Sequence, residues 1–431
     1  MSKTWKNWSG LVKCQPKELL QPSSLNELAE IVRSHAESGR SLRVVGSGHS
    51  FTPIVATNST MICLKNLQGI ESVDRENYEA TVLPGTKIYT LGKLLANFGM
   101  GLENQGDIDS QSLAGAIATG THGTGANLGI MSTQVVGITL LTADGDILEC
   151  SAANNPDIFK ATQVSLGSLG ILGKIQVKLQ PIYRLREVRH TSDLSACLDR
   201  LEAACRQHRH YEFWWFPHTD RVSIKTQDMT DAPMKTSQIE HLLNDVILEN
   251  GVFWLLCELC RNFPSLCKQV SNLSAQLVSE GETTNYSYQV FPTPRSVRFY
   301  EMEYAVPAEK GPDCLREIKE FVARNDIAVH FPVEYRCVKS DDIYLSPAYQ
   351  RDSAFIAIHM YKGMPYKTYF DGVEAIFKNH QGRPHWGKMH SRTASELREL
   401  YPMWDEFHSI RHKLDPTGVF MNDYLKRIFG D

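Results

Sequence analysis

Glycine is concentrated in the first half of this chain, and its densest stretch runs from Gly106 to Gly129. Because glycine has no Cβ, such loops can bring their backbone close to a ligand, and successive amides can form a site for an anion. After Pro181 glycine becomes sparse, while tryptophan and charged residues become common. This change predicts two domains, residues 1–183 and 184–431.

Bulk properties narrow the class of protein. The chain of 431 residues is longer than one hydrophobic core usually supports. A net charge of −4 gives no reason to expect a nucleic-acid partner. The most apolar stretch, Val246–Leu259, is too short and too charged to span a bilayer. It favours a buried helix. The alternative is a helix that rests on a membrane surface as a peripheral contact.

The ten cysteines are irregularly spaced, which favours reduced thiols and a cytoplasmic location. Cys257 and Cys260 form a C-x-x-C with Cys267 nearby, but no second ligand pair follows, so we predict core cysteines. A zinc site built from His359, His385 and His390 lacks a convincing fourth ligand. The sequence therefore predicts no metal.

Patterning predicts an α+β fold. The first half shows a capped helix from Ser24, a strand at Leu42–Val45 and an Asp144-Gly145 hairpin turn. The second half shows strands over 211–216, 299–304, 331–338 and 355–361, and helices over 238–262 and 312–324. These elements predict a mixed or antiparallel sheet with helices on one face.

The glycine-rich loops suit a dinucleotide pyrophosphate, although they match neither the Rossmann fingerprint nor a P-loop. Three segments, 45–50 (VGSGHS), 112–125 (SLAGAIATGTHGTG) and 166–171 (LGSLGI), resemble the PCMH-type FAD-binding domain of the vanillyl-alcohol oxidase superfamily. Segments 384–388 (PHWGK) and 415–422 are similar to its sugar-lactone and alditol oxidase branch. The resemblance implies FAD bound by two α/β subdomains, plus a substrate (cap) domain whose segment from about 383 to 431 returns to the flavin.

The resemblance also implies which residues bind the cofactor. His49 falls on the histidine that carries FAD covalently. The other implied flavin contacts are Val45, Gly46, Ser47, Gly48, Ser50, Gly106, Asp107, Ser112, Gly115, Thr119, Gly120, Thr121, His122, Ile171, His385 and Lys388. Lys388 is the cation expected to stabilise the reduced flavin.

Glu334 and Arg336 lie two apart on a predicted strand, so their side chains share one face. Read alone, the pair could be a surface ion pair. The resemblance places it at the substrate, where arginine stabilises an alkoxide and the carboxylate orients the hydroxyl. His359 and Asp107 are further implied substrate contacts. Glu301 and Glu303 also share one face, but without an evident cation we interpret them as structural.

Gly106 falls where dehydrogenase relatives carry alanine, and we expect it to leave a gap through which O2 reaches the flavin. A positive φ at Gly106 is the alternative. The sequence thus predicts an FAD-dependent oxidase that acts on an aldono-1,4-lactone and reduces O2 to hydrogen peroxide. Three alternatives remain: an alditol oxidase, a lactone dehydrogenase with a quinone or cytochrome acceptor, and a non-catalytic flavin-binding protein.

Overall fold

The structure is a computed structural model that describes residues 4–235, 250–293 and 297–431. Its strands are β1 Trp5–Lys6, β2 Lys13–Cys14, β3 Glu18–Leu20, β4 Leu42–Val45, β5 Thr60–Cys63, β6 Ile70–Asp74, β7 Glu79–Val82, β8 Met100–Gly101, β9 Val135–Leu141, β10 Ile147–Ser151, β11 Ile171–Lys178, β12 Gln180–Pro181, β13 Arg184–Asp193, β14 His210–Trp215, β15 Arg221–Thr230, β16 Gly281–Tyr286, β17 Phe299–Pro307, β18 Val333–Val338, β19 Ser353–Tyr361 and β20 Arg383–Pro384.

The described α-helices alternate with these strands. They are Leu25–Glu37, Ile88–Ala96, Leu113–Ala118, Pro156–Thr162, Leu194–Asp199, Leu201–Gln207, Asn250–Asn262, Cys267–Leu277, Ser287–Val290, Gly311–Arg324, Lys367–Asn379, Ala394–Leu400, Trp404–Leu414 and Asp423–Phe429. The helix predicted over 238–262 falls partly on residues outside the described ranges, and its described part begins at Asn250.

The glycine-rich half contains two short strand pairs, β1-β2 and β8-β12, and two larger sheets. The smaller is three-stranded and parallel, in the order β3-β5-β4, and the larger is five-stranded, in the order β10-β9-β11-β7-β6. The prediction of a strand at Leu42–Val45 is confirmed, as is that of a hairpin turn between β9 and β10. Because β4 ends at Val45, the turn of residues 46–50 projects from the end of a buried strand.

An eight-stranded sheet forms the second half, in the order β16-β13-β15-β14-β18-β19-β17-β20. Its described pairs are antiparallel, so the antiparallel alternative is the one observed. Alternation along the strands sorts residues between its two faces. The row Phe213, Tyr335, Ile356 and Tyr304 lies in an apolar core with helices Gly311–Arg324 and Lys367–Asn379.

Neighbouring rows of the same sheet are polar. Glu212 lies opposite Arg336, and Trp214 lies opposite Glu334. Both rows project away from the apolar core, toward the glycine-rich half of the molecule. The sheet thus separates a helix-covered apolar face from a polar face that is available for a site.

The last helices of the chain pack into the core of the first half. Trp386, Phe407 and Leu425 belong to the same apolar cluster as Val82 and Ile138. The side chain of Asp415 accepts hydrogen bonds from the amides of Val419 and Phe420, at 2.7 and 2.9 Å. Segments that are far apart in the sequence therefore contribute to one core.

The helix Asn250–Asn262 differs from the buried helix that the sequence predicts. Cys257 and Cys260 are fully buried, but Trp254 and Leu255 are 49% and 60% exposed. An apolar run without clear periodicity does not show which of its faces is covered, and this helix packs on one side only. Among the residues that the structure describes, no helix is long and apolar enough to cross a membrane.

Candidate functional site

A first cleft runs along the turn that follows β4. Its empty volume is about 1120 Å³, part of it open to solvent. Helix Leu113–Ala118 and the loop before β11 complete its walls. Of the predicted cofactor-binding residues, the following line this cleft: Val45, Gly46, Ser47, Gly48, His49, Ser50, Ser112, Gly115, Thr119 and Ile171.

The turn has the properties of an anion site. The amides of Ser47, His49 and Ser50 donate to no acceptor within the described part of the chain. Gly48 has a φ of +70°, and a Cβ at Gly46 would lie 2.2 Å from Ser112 Oγ. Lys87 adds a cation, because its ammonium donates to Ser47 Oγ at 2.6 Å. Unpaired amides beside a lysine suit the pyrophosphate of a dinucleotide.

A second, wider cleft lies between this turn and the polar face of the eight-stranded sheet. Its empty volume is about 1670 Å³, again partly open to solvent. The clefts share four lining residues, His49, Ser50, Gln111 and Thr119, so they meet at His49. The second cleft brings together Gly106, Asp107, Thr121, His122, Glu334, Arg336, His359, His385 and Lys388. Among the predicted residues, Gly120 lines neither cleft, and its φ of +71° makes it a turn residue.

His49 stands at the junction of the clefts. Its Nε2 lies 2.8 Å from Ser110 Oγ. Burial lowers the pKa of His49 to about 4, and the charges of Lys388 and Lys87 act in the same direction. The imidazole is therefore neutral at physiological pH, which is the nucleophilic form of histidine.

Arg336 is the centre of a buried ion network. Its guanidinium donates to Glu212 at 2.7 Å and to Glu334 at 2.7 Å. Glu212 also pairs with Lys225, which lies opposite it on β15. Burial alone would raise the pKa of Glu212, but Lys225 and Arg336 outweigh it and lower the pKa to about 2. The predicted Glu-x-Arg pair is thus part of a four-residue chain and is not a surface ion pair.

The expectation that Glu301 and Glu303 lack a cation partner is wrong. Glu301 pairs with Lys388, and His359 Nε2 lies 3.5 Å from its carboxylate. Glu303 lies 3.2 Å from His122 Nε2. Both glutamates line the second cleft. Their partners come from distant segments, so the strand sequence by itself could not reveal them.

The remaining histidines are also held by the protein. His359 Nδ1 lies 3.0 Å from the carbonyl of Pro332, so both ring nitrogens of His359 have protein partners. His385 Nδ1 accepts a hydrogen bond from the Gly387 amide at 3.0 Å, and burial lowers its pKa to about 3. His390 Nε2 lies 3.0 Å from the Tyr424 hydroxyl and lines neither cleft.

Gly106 does not leave the gap that the sequence suggests. A Cβ built at this position would lie 2.9 Å from Thr121 Cγ2 and 3.2 Å from the His122 carbonyl oxygen. Its φ is also outside the left-handed region, so the alternative explanation does not hold either. An added methyl would meet the Thr121 side chain first and the His122 carbonyl oxygen next, which favours glycine at this position.

Comparison with known proteins agrees with this arrangement. The family model described as D-arabinono-1,4-lactone oxidase matches residues 175–428, and the model described as FAD binding domain matches residues 16–151. The chain belongs to the D-arabinono-1,4-lactone oxidase family. It is therefore an FAD-binding oxidoreductase.

Relatives within this family cover the whole chain. An L-gulono-1,4-lactone dehydrogenase of Mycobacterium tuberculosis (strain H37Rv) is 40% identical, with 100% of both chains covered. An L-gulonolactone oxidase of Bos taurus is 35% identical, with 99% of this chain and 98% of that protein covered. The crystal structure of a cholesterol oxidase from B. sterolicum has the same fold, with a TM-score of 0.84 at 16% identity over 100% of this chain and 97% of that one.

Sequence reasoning missed several residues of this family member's site. Lys87 lines the first cleft, Gln111 lines both, and Glu212 and Lys225 complete the ion network. The alternation of Tyr211-Glu-Phe-Trp-Trp contained a signal, because it places Glu212 and Trp214 on one face of a strand. Only the register of β14 against β18 and β15 shows that this face belongs to the site.

Proposed function

We propose that this protein is an FAD-dependent oxidase that oxidises a CH–OH group of an aldono-1,4-lactone and reduces O2 to hydrogen peroxide. The observation that carries the proposal is the meeting of the two clefts at His49, with the Glu334–Arg336 pair in the second cleft. The names of the similar lactone oxidases and dehydrogenases support a lactone substrate.

The first cleft would hold the dinucleotide part of FAD. The turn amides and Lys87 would bind the pyrophosphate, and Ile171 would contact the adenine end. When bound, FAD supplies the hydride acceptor and passes the electrons to O2. His122, His385 and Lys388 would border the reactive end of the cofactor.

Covalent attachment of FAD at His49 is a separate proposal. It is supported by the position of His49 between the two clefts and by its low pKa, which keeps the imidazole neutral. After acid denaturation, wild-type flavin should remain with the precipitated protein, while His49→Ala should fold and release its flavin. Flavin released into the supernatant by the wild type would refute the bond but leave FAD binding intact.

The polar face of the sheet would bind the lactone. Glu334 would accept the hydrogen bond of the reacting hydroxyl, and Arg336 would stabilise negative charge that develops on its oxygen. Because Glu212 shares Arg336 and carries the other hydrogen bond, the guanidinium is fixed in orientation before substrate arrives. His359 and Asp107 would contact the other substrate oxygens.

Anaerobic flavin bleaching tests this assignment. A panel of aldono-1,4-lactones and alditols is mixed with the wild type, Arg336→Ala and Glu334→Gln. Lactones should bleach wild-type flavin fastest, and loss of one charged transition-state contact should slow bleaching on the order of 10²–10³-fold. Arg324→Ala, a variant at an exposed helix position with a side chain 74% accessible, is the matched control.

Two results would contradict the proposal. If only alditols bleach the flavin, the substrate is an alditol and not a lactone. If both variants bleach at rates within a few-fold of wild type, Glu334 and Arg336 do not belong to the substrate site.

The electron acceptor needs its own measurement, because one similar protein is named a dehydrogenase and another an oxidase. Reoxidation of substrate-reduced protein by air should be fast and release hydrogen peroxide. Reoxidation only by a quinone or cytochrome would make the protein a dehydrogenase.

A further inference from the structure

Three thiols and one imidazole meet outside both clefts. Cys257 and Cys260 lie on one face of helix Asn250–Asn262, and Cys267 begins the next helix. His330 belongs to the segment before β18. All four side chains are buried, with exposures of 0 or 1%. A buried group of sulfur and nitrogen donors is the kind of site that thiophilic metals occupy in proteins.

The spacing of these atoms is close to that of a metal site. Ligand atoms of Cys260, Cys267 and His330 all lie within 4.8 Å of one another. Cys267 Sγ is 3.9 Å from His330 Nδ1. Zn–S and Zn–N bonds of about 2.3 and 2.0 Å place tetrahedral donors about 3.5 Å apart. The Cys267–His330 pair is thus within a few tenths of an ångström of that separation, and the other pairs lie within 4.8 Å.

Cys257 occupies the other side of the ring. Its Sγ lies 3.2 Å from His330 Nε2, the nitrogen that faces away from Cys267. Histidines that bind a metal through one nitrogen usually donate their second N–H to a neighbouring group, which fixes the tautomer and the ring orientation. Cys257 supplies such a partner.

We propose that Cys260, Cys267 and His330 bind a Zn²⁺ ion, through two thiolates and the Nδ1 nitrogen, with a water molecule as the fourth ligand and Cys257 orienting His330. Binding releases the two thiol protons to solvent, and no electron is transferred. The sequence pattern C-x-x-C alone lacks a third and fourth ligand, and His330 follows Cys267 by 63 positions. Folding brings it to the cysteines.

Such an ion would lie behind the substrate cleft. Phe331 follows His330 and lines the second cleft, and the Pro332 carbonyl contacts His359. The ion would tie the two helices to this wall without touching substrate or cofactor. It would therefore act on the stability of the wall and not as a catalytic group.

Metal analysis of the full-length holoprotein, grown with zinc and purified without chelator, tests the proposal. Wild type and Cys314→Ser, a control at another fully buried cysteine, should contain stoichiometric zinc. Cys260→Ser and Cys267→Ser should lose it. Cys257→Ser should retain a site whose zinc affinity is reduced roughly 10–100-fold, as expected for a partner that only orients a ligand.

X-ray absorption at the zinc edge of the wild type keeps the test decisive if a cysteine variant fails to fold. A sulfur shell at about 2.3 Å supports the site, and a shell of only nitrogen and oxygen overturns it. Zinc-free wild-type protein that does not take up added Zn²⁺ also overturns it, as does a Cys260–Cys267 disulfide found by mass spectrometry of unreduced protein. Activity toward lactones is not part of this test, so its outcome is independent of the proposed function.

Discussion

Arg336 shows how single residues of this site depend on one another. Its guanidinium lies between Glu334 and Glu212, and Glu212 in turn holds Lys225. The network is buried, so each charge depends on its partners to offset the loss of water. A residue that never contacts substrate can therefore be as important to the site as one that does.

Replacing Glu212 with glutamine should show this dependence. The variant removes the carboxylate that bridges two buried cations, Lys225 and Arg336, and we expect unfolding to become easier by about 3–5 kcal/mol. Denaturant unfolding measures the loss. The matched control is Glu202→Gln, which removes an exposed partner of Arg206 and should cost less than about 1 kcal/mol. Equal effects of the two substitutions would contradict a buried network.

Gly106 gives a second prediction at the residue scale. Gly106→Ala should destabilise the protein by about 1–3 kcal/mol and weaken flavin retention, because the new methyl meets Thr121 Cγ2. Adding Thr121→Ser removes that methyl and should restore both properties. Thermal unfolding and flavin content are the measurements. If Gly106→Ala alone had normal stability but its reduced flavin reoxidised slowly in air, this would instead support a role of Gly106 in O2 access.

At the scale of elements, local signals were sufficient where one segment determines its own structure. The Ser24 cap, β4 and the turn between β9 and β10 all follow from short patterns of capping, alternation and Asp-Gly. What could not be predicted depends on pairing between distant segments. The cations of Glu301 and Glu303, the place of Glu212 and the meeting of His330 with three cysteines arise from strand register and helix packing, which no local pattern contains.

The last helix, Asp423–Phe429, offers a test of such long-range contacts. Asn422 caps it by accepting from the Leu425 amide at 2.9 Å, and its Nδ2 donates to the carbonyls of Pro53 and Ala56 at 3.0 and 2.8 Å. Asn422→Ser can keep the cap but loses the donors, and Asn422→Ala loses both. Denaturant unfolding should rank wild type above serine, and serine above alanine by about 0.5–2 kcal/mol. Equal stability of the serine and alanine variants would show that the cap contributes nothing.

At the scale of the whole molecule, buried histidines should make the protein sensitive to acid. Burial lowers the pKa values of His49, His210 and His408 to about 4, and those of His385 and His390 to about 3. The unfolded chain, in which a histidine titrates near pH 6.5, binds more protons below that pH than the folded chain does. Stability should therefore fall as the pH drops from about 6.5 toward 4.

Thermal unfolding across this range measures the effect. Asp341 acts in the opposite direction, because burial raises its pKa to about 6 and the folded state then binds the extra proton. Burial also raises the pKa values of Asp109 and Asp415 and lowers that of His218, so lowered histidines outnumber raised aspartates and acid brings a net loss. His390→Gln removes one titrating group outside both clefts and should reduce the slope. A melting temperature that is constant between about pH 7 and pH 5 would contradict the prediction.

The packing of the last helices into the core of the first half affects how the chain is made. Trp386, Phe407 and Leu425 complete an apolar cluster that begins with residues of the first sheets. Domains generally fold as they leave the ribosome, from the amino terminus onward. Here the FAD-binding half emerges early but lacks part of its interior until Leu425 has been synthesised. The cofactor cleft therefore gains its native support only after the helix Asp423–Phe429 has emerged, so a messenger truncated before this helix should yield a protein that cannot hold its flavin.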